Sequence, residues 1–226
     1  MWCSSPRKKT VIPNDPIRFG STFLSPSPSV RCLGVYFDSH LSFRYHTSRV
    51  AASCFSTFRQ IRSIRRALTR PLLTSLVEAL VLPKLDFSNS VLSGVPATVL
   101  HPLQSVQNAC ARLIFSTNRF SSVTPLLREL EWLPVAHRIQ LRLAVLAHSS
   151  LLRRLPAYLT DDMTLASSVR SRPPLRSSSS SSFLIPRIRR VTFGGRAFPV
   201  SAAKVWNSLP PATRSHSRLH VSVRKL

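Results

Sequence analysis

The side chains equipped for chemistry in this sequence are mostly cationic: 32 Lys and Arg stand against 8 Asp and Glu, a net charge of +24 over 226 residues. That balance points to a polyanion, either nucleic acid or an anionic membrane face. It leaves little for acid–base or metal catalysis. The carboxylates are Asp15, Asp38, Glu78, Asp86, Glu129, Glu131, Asp161 and Asp162, and only the last two are adjacent. Two-metal chemistry needs carboxylates that converge within a few ångströms. Asp161-Asp162 follow a proline and a helix end, the setting of a loop or helix start, and no other acid is close in sequence to complete a metal site. Cys3, Cys32, Cys54 and Cys110 are far apart, so no C-x-x-C pair can nucleate a zinc site. There is no G-x-S-x-G, and five glycines in all cannot build a Gly-rich phosphate loop. Binding is favoured over catalysis.

The groups that could bind a polyanion fall in three places. Arg62, Arg65 and Arg66 share one helix face at i, i+3 and i+4. Guanidinium forks suit phosphate oxygens, although a solvated helix face has the same composition. Gln104, Gln107, Asn108 and Arg112 form a polar stripe beside an apolar one. They could read 2′-hydroxyls and phosphates, or equally cap backbone groups inside a bundle. Arg138 and Arg142 divide in the same way. Trp132 and Trp206 could stack bases, but both sit in apolar blocks beside Leu-Pro, where a packed anchor is the expectation.

The elements that must position these residues are mainly helical. Residues 1–30 are rich in Pro and Ser, with extended candidates at Thr10–Ile12 and Pro16–Phe19. Val30 to Phe37 reads as one strand, with Gly34 inside it marking a bulge or a close backbone approach. From about Phe43 the period turns helical, with Val50, Cys54, Phe58, Ile61 and Leu68 on one stripe. A second helix is expected from Pro71 to Leu82, stopping before Pro83. A third begins with Thr98 as N-cap and Pro102 in its first turn; its stripe is Val99, Leu103, Val106, Cys110 and Leu113. Thr124-Pro125 opens a fourth. Pro134 opens a fifth, with Val135, Ile139, Leu143, Leu146 and Ser150 on one side. Periodicity is lost between Thr164 and Ser182, where six consecutive serines follow Arg170, Arg172 and Arg176. This reads as a flexible cationic linker. A strand near Phe183–Ile188 and a helix around Pro199–Leu209 follow.

Several short blocks on this skeleton resemble one family. Arg31-Cys32-Leu33-Gly34-Val35, with Asp38 and Leu41-Ser42-Phe43, resembles the "LGV…D…LSF" segment leading into the thumb of LINE-type, non-LTR retrotransposon reverse transcriptases, jockey-like. Leu85-Asp86-Phe87-Ser88-Asn89-Ser90 is similar to that family's "LDYCNS", with Phe for Tyr and Ser for Cys. Leu103-Gln104-Ser105-Val106-Gln107-Asn108-Ala109, with Ala111-Arg112-Leu113, resembles "LQ-x-VQN-x-x-ARL". Trp132-Leu133-Pro134-Val135 with Arg138-Ile139 resembles "WLPV-x-x-RI". Pro156-x-Tyr158-Leu159, Arg196-Ala197-Phe198 and Trp206-Asn207-Ser208-Leu209-Pro210 complete the series, in family order from about Lys9 to Leu226.

The resemblance implies the C-terminal, thumb and post-thumb part of such an enzyme. On that basis residues 1–42 are a palm remnant with a β-strand and 43–160 a thumb-like helical bundle. Residues 161–182 are the linker, and 183–226 a small basic module. The family's polymerase chemistry belongs to palm carboxylates upstream, including an Ala-Asp-Asp hairpin, and its endonuclease lies further upstream still. The chain alone is therefore expected to be non-catalytic and to carry no cofactor, with Mg²⁺ confined to the intact parent enzyme. The expected partners are RNA and DNA, held mostly through phosphates. No run reaches the ~18 apolar residues of a membrane span, and no secretory signal is recognised, so a cytoplasmic or nuclear location is expected. The oligomeric state is open. Two competing readings are an independent basic RNA-binding protein, for example one addressed to mitochondria, and a non-functional relic reading frame.

Overall fold

The computed structural model describes residues 1, 3, 15–168, 182–189 and 191–215. The extended candidate Thr10–Ile12, most of the Ser/Arg linker and the last residues of the basic tail lie outside the described residues. The chain is mainly helical with two small antiparallel sheets. It divides into two units: Met1–Ser88 with Val95–Leu127, and Asn89–Gly94 with Arg128–Leu226. The boundary at Leu127 falls inside the 43–160 stretch read from the sequence as one bundle.

Unit 1 opens with two β-hairpins. Strand β1 (Ile17–Phe19) pairs with β2 (Thr22–Leu24), and β3 (Ser29–Cys32) pairs with β4 (Val35–Asp38). The single strand expected over Val30–Phe37 is thus folded in half. Its turn is Leu33-Gly34, where φ is positive at both residues (47° and 84°), the twist that a two-residue hairpin requires. The expected close approach at Gly34 is also present: a Cβ there would lie 2.7 Å from the Phe87 ring. β4 ends at Asp38, whose carboxylate accepts hydrogen bonds from the N–H groups of His40 (3.1 Å), Ser42 (2.8 Å) and Phe43 (2.9 Å), and from the Ser42 hydroxyl (2.9 Å). Burial by itself raises the pKa of this carboxyl, but the four hydrogen bonds outweigh it and hold the group below its ordinary value.

Helix α1 (Arg44–Ile64) follows this turn and continues into a 3-10 turn at Arg65–Ala67. It buries His46, Thr47, Ala51, Cys54 and Ile61. Val50 and Phe58, expected on that stripe, are only half-buried, so the inward face is rotated by about one position. Helix α2 (Arg70–Leu80) takes Pro71 in its first turn. It ends at Leu80, short of Pro83 as expected; Pro83 then sits in the first turn of a short further helix that was not expected, α3 (Leu82–Asp86), where its missing N–H leaves no bond unmade.

Helix α4 (Ala97–Phe115) starts after Pro96, so Thr98 lies within the first turn rather than capping it, and Pro102 falls inside the helix. All five residues of its expected stripe are buried, together with Gln107, Ala111 and Ile114. α1 packs against α4, and α2 against both. Cys54, Val77, Val106 and Cys110 have no exposure at all in this core. Burial pushes the Cys54 thiol up to about 11 against the opposing charge of Lys84, and Cys110 up to about 12. Both are inert, protonated packing groups at neutral pH. Helix α5 (Thr124–Glu129) follows in the chain.

In unit 2, helix α6 (Val135–Leu151) buries Val135, Ile139, Leu143, Ala144, Ala147 and Ser150, while Leu146 is half-buried. The short α7 (Ala157–Thr160) leads into an exposed turn carrying Asp161 and Asp162. Helix α8 (Val191–Gly194), α9 (Phe198–Ser208) and α10 (Pro211–Ser215) complete the described chain. α9 and the 3-10 turn Asn89–Leu92 both pack on α6. Trp206 is fully buried, its ring 5.9 Å from His148 and 6.2 Å from Phe183. The strand expected over Phe183–Ile188 is reduced to one bridge, Leu165 to Phe183. The Asn207 side chain takes the place of a ladder partner there: its Nδ2 donates to the Phe183 carbonyl (2.8 Å) and its Oδ1 accepts from the Phe183 N–H (3.0 Å). Among the described residues no helix is long and apolar enough to cross a membrane.

Candidate nucleic-acid interface

The arginines at the end of α1 reach solvent because that end runs past the core. Ile61 is the last buried residue of the helix, and Arg62 and Arg66 stand exposed beyond it. Arg59, one turn before Arg62, is exposed too and extends the face at i, i+3 and i+7. Arg65 is half-buried, and its guanidinium donates to the Ser116 hydroxyl just beyond α4. That bond ties the end of α1 to the end of α4. Arg70, at the start of α2, joins the group with its guanidinium carbon 4.0 Å from the Phe115 ring centroid. Neither α1, α4 nor the loop 116–123 contains an Asp or Glu. Five guanidinium groups therefore lie on connected elements of one unit, four of them on α1 and its 3-10 extension, which carry no carboxylate, and Arg70 on α2, which also carries Glu78.

The polar stripe of α4 is arranged differently. Gln107 is fully buried. Gln104 is half-buried, and its Nε2 donates to Gln107 Oε1 (3.0 Å) and Asn108 Oδ1 (2.8 Å). Arg112 is half-buried as well, and one of its terminal nitrogens donates to the Ser121 carbonyl (3.2 Å), holding the loop after α4. Its Nε is buried without a partner among the described residues. The three amides are bonded to one another, and Arg112 is bonded to nearby backbone through one terminal nitrogen. Hydrogen bonding within the bundle, one of the two sequence readings offered for them, is present for Gln104, Gln107 and Asn108. Trp132 (6 % exposed) and Trp206 are packed anchors as well.

Arg138 and Arg142 lie in unit 2, one turn apart on α6, the first half-buried and the second exposed. The nine sequence candidates are thus divided: Arg62, Arg65 and Arg66 lie together at the end of α1, Gln107 is buried with Gln104, Asn108 and Arg112 half-buried beside it, and Arg138 and Arg142 belong to the other unit. Sequence reasoning missed Arg59 and Arg70. Arg59 was recoverable from its i–3 spacing to Arg62. Arg70 was not, because only the fold brings the start of α2 to the end of α4. Among the described residues there is no group of three or more His, Cys, Asp or Glu placed to hold a metal ion.

Comparison of the chain with family models, with curated proteins and with solved structures finds no match.

Proposed function

We propose that this chain is the C-terminal, thumb and post-thumb part of a LINE-type, non-LTR retrotransposon reverse transcriptase, and that unit 1 grips nucleic acid through its phosphates. The observation that carries the binding half of this reading is the arginine cluster of Arg59, Arg62, Arg65, Arg66 and Arg70. Guanidinium groups there meet phosphates with paired N–H donors. Each phosphate neutralised releases condensed counterions, so affinity is set mainly by entropy and falls steeply with salt. Such contacts fix position and orientation but carry no base sequence. The ordered series of resemblance blocks supports the parentage.

On this reading the chain performs no polymerase step by itself; that chemistry belongs to palm carboxylates it does not carry. Its role is to hold template and primer as an RNA- and DNA-binding surface. The test is fluorescence anisotropy with a labelled RNA–DNA hybrid duplex over a salt series. Arg62→Glu with Arg66→Glu should weaken binding for every duplex sequence and reduce the magnitude of the log–log salt slope by roughly 2, with the helical circular dichroism unchanged. Undiminished affinity in this double variant overturns the assignment.

A further inference from the structure

The loop after α4 is built unlike an ordinary surface connection. Ser116 takes a left-handed conformation (φ 59°), and the Thr117 N–H closes the helix end on the Arg112 carbonyl (3.1 Å). Residues Asn118 to Ser121 then form a tight turn, with the Ser121 N–H on the Asn118 carbonyl (3.1 Å). Arg112 fastens the far side of the turn through the Ser121 carbonyl (3.2 Å), and Arg65 fastens the near side through the Ser116 hydroxyl. Held at the tip is Phe120, 79 % exposed. The Arg119 guanidinium carbon lies 4.5 Å from its ring centroid.

A single exposed apolar side chain is unremarkable by itself. Here three further facts bear on it: the backbone under the ring is pinned at both ends, a guanidinium already stacks on it, and Arg65, which fastens the near side, lies among the arginines at the end of α1. An exposed π-face on a pinned turn tied to a cationic helix end is the arrangement that receives an unpaired base together with its phosphate. We propose that the turn Asn118–Ser121 is a stacking platform for an unpaired nucleobase, with Phe120 as the platform. Arg119 braces the ring, and Arg62 and Arg66, the exposed arginines beside Arg65, hold the adjoining phosphates. The ligand class is then nucleic acid with a single-stranded tail next to a duplex. Stacking tolerates any base because every base has a π-face. This proposal rests on the nucleic-acid-binding reading given above.

The experiment uses the full chain and two probes: a blunt hybrid duplex, and the same duplex extended by a short single-stranded tail. The tailed probe should bind more tightly, and Phe120→Ala should reduce that affinity by about 5- to 100-fold while leaving the blunt duplex unaffected. Phe120→Trp should retain tailed binding and show quenched tryptophan emission on stacking. Equal losses on both probes, or no advantage from the tail, overturn the platform and leave duplex gripping intact. Failure to bind either probe overturns both readings together.

Discussion

The end of α1 and the middle of α4 carry polar stripes of the same kind, on helices that pack against each other, and the fold uses them in opposite ways. Arg62 and Arg66 project from the end of a helix that has run past the core. Gln104, Gln107 and Asn108 lie mid-helix and bond to one another, with Gln107 wholly enclosed. The difference is one of position along the packed interface. A charged or polar side chain at the end of the interface keeps water and remains available to a partner. One in the middle must find its partner inside the protein.

The largest effect that distinguishes the two stripes is on stability. Gln107→Ala should cost about 2–4 kcal/mol in urea unfolding, since it opens a cavity and removes one of the two acceptors of the Gln104 amide. Nucleic-acid affinity of the folded fraction should be unchanged. The complementary change, Arg62→Glu with Arg66→Glu, should leave the unfolding midpoint nearly where it was and lower duplex affinity by about 30- to 100-fold near physiological salt. If Gln107→Ala instead weakens binding at constant stability, the contrast between the stripes is broken.

A smaller effect concerns how α1 is launched. Asp38→Ala should destabilise unit 1 by about 1–2 kcal/mol through loss of the hydrogen bonds to residues 40–43. The folded pKa of Asp38 is depressed, so its contribution is complete above the unfolded carboxylate value and is lost as pH falls through the lower folded value. His46 acts in the same direction at milder pH. Burial lowers its pKa, so the unfolded chain takes up a proton first and stability declines as pH falls below about 6.5. Thermal unfolding at a series of pH values should show both phases in the natural chain and only the His46 phase in Asp38→Ala. The smallest expected effect is a gain: Leu33, 90 % exposed at φ 47°, pays for a left-handed backbone with nothing packed against it. Leu33→Asn should stabilise the β3–β4 hairpin by about 1 kcal/mol, read as a higher melting temperature.

Much of the helical skeleton was legible because burial follows the 3.6-residue period. The five-residue stripe of α4 is buried as expected, and α6 and α9 lie within a residue or two of where proline and periodicity put them. Turn chemistry was harder to read. Leu33-Gly34 lacks the Asn or Asp that usually marks a two-residue hairpin, so two strands looked like one. Pro83 was legible as the end of α2 but not as the start of α3, because a proline that ends one helix and one that begins the next are alike in sequence. In the candidate interface, Arg62, Arg65 and Arg66 were legible as a face. The inward turn of Gln107 was not, since an amide beside an apolar stripe has no local signal for burial.

By itself the sequence determined the cationic balance, the scarcity of carboxylates and, closely, the apolar faces of α4 and α6, because composition and period are local properties. Tertiary structure alone decided which polar groups meet solvent. It brought Arg70 onto Phe115, Arg65 onto Ser116 and Asn207 onto the backbone of Phe183, across separations that no period links. The physical reason is that a polar side chain's role depends on whether water can reach it, and in this chain that is set by where one helix stops covering another.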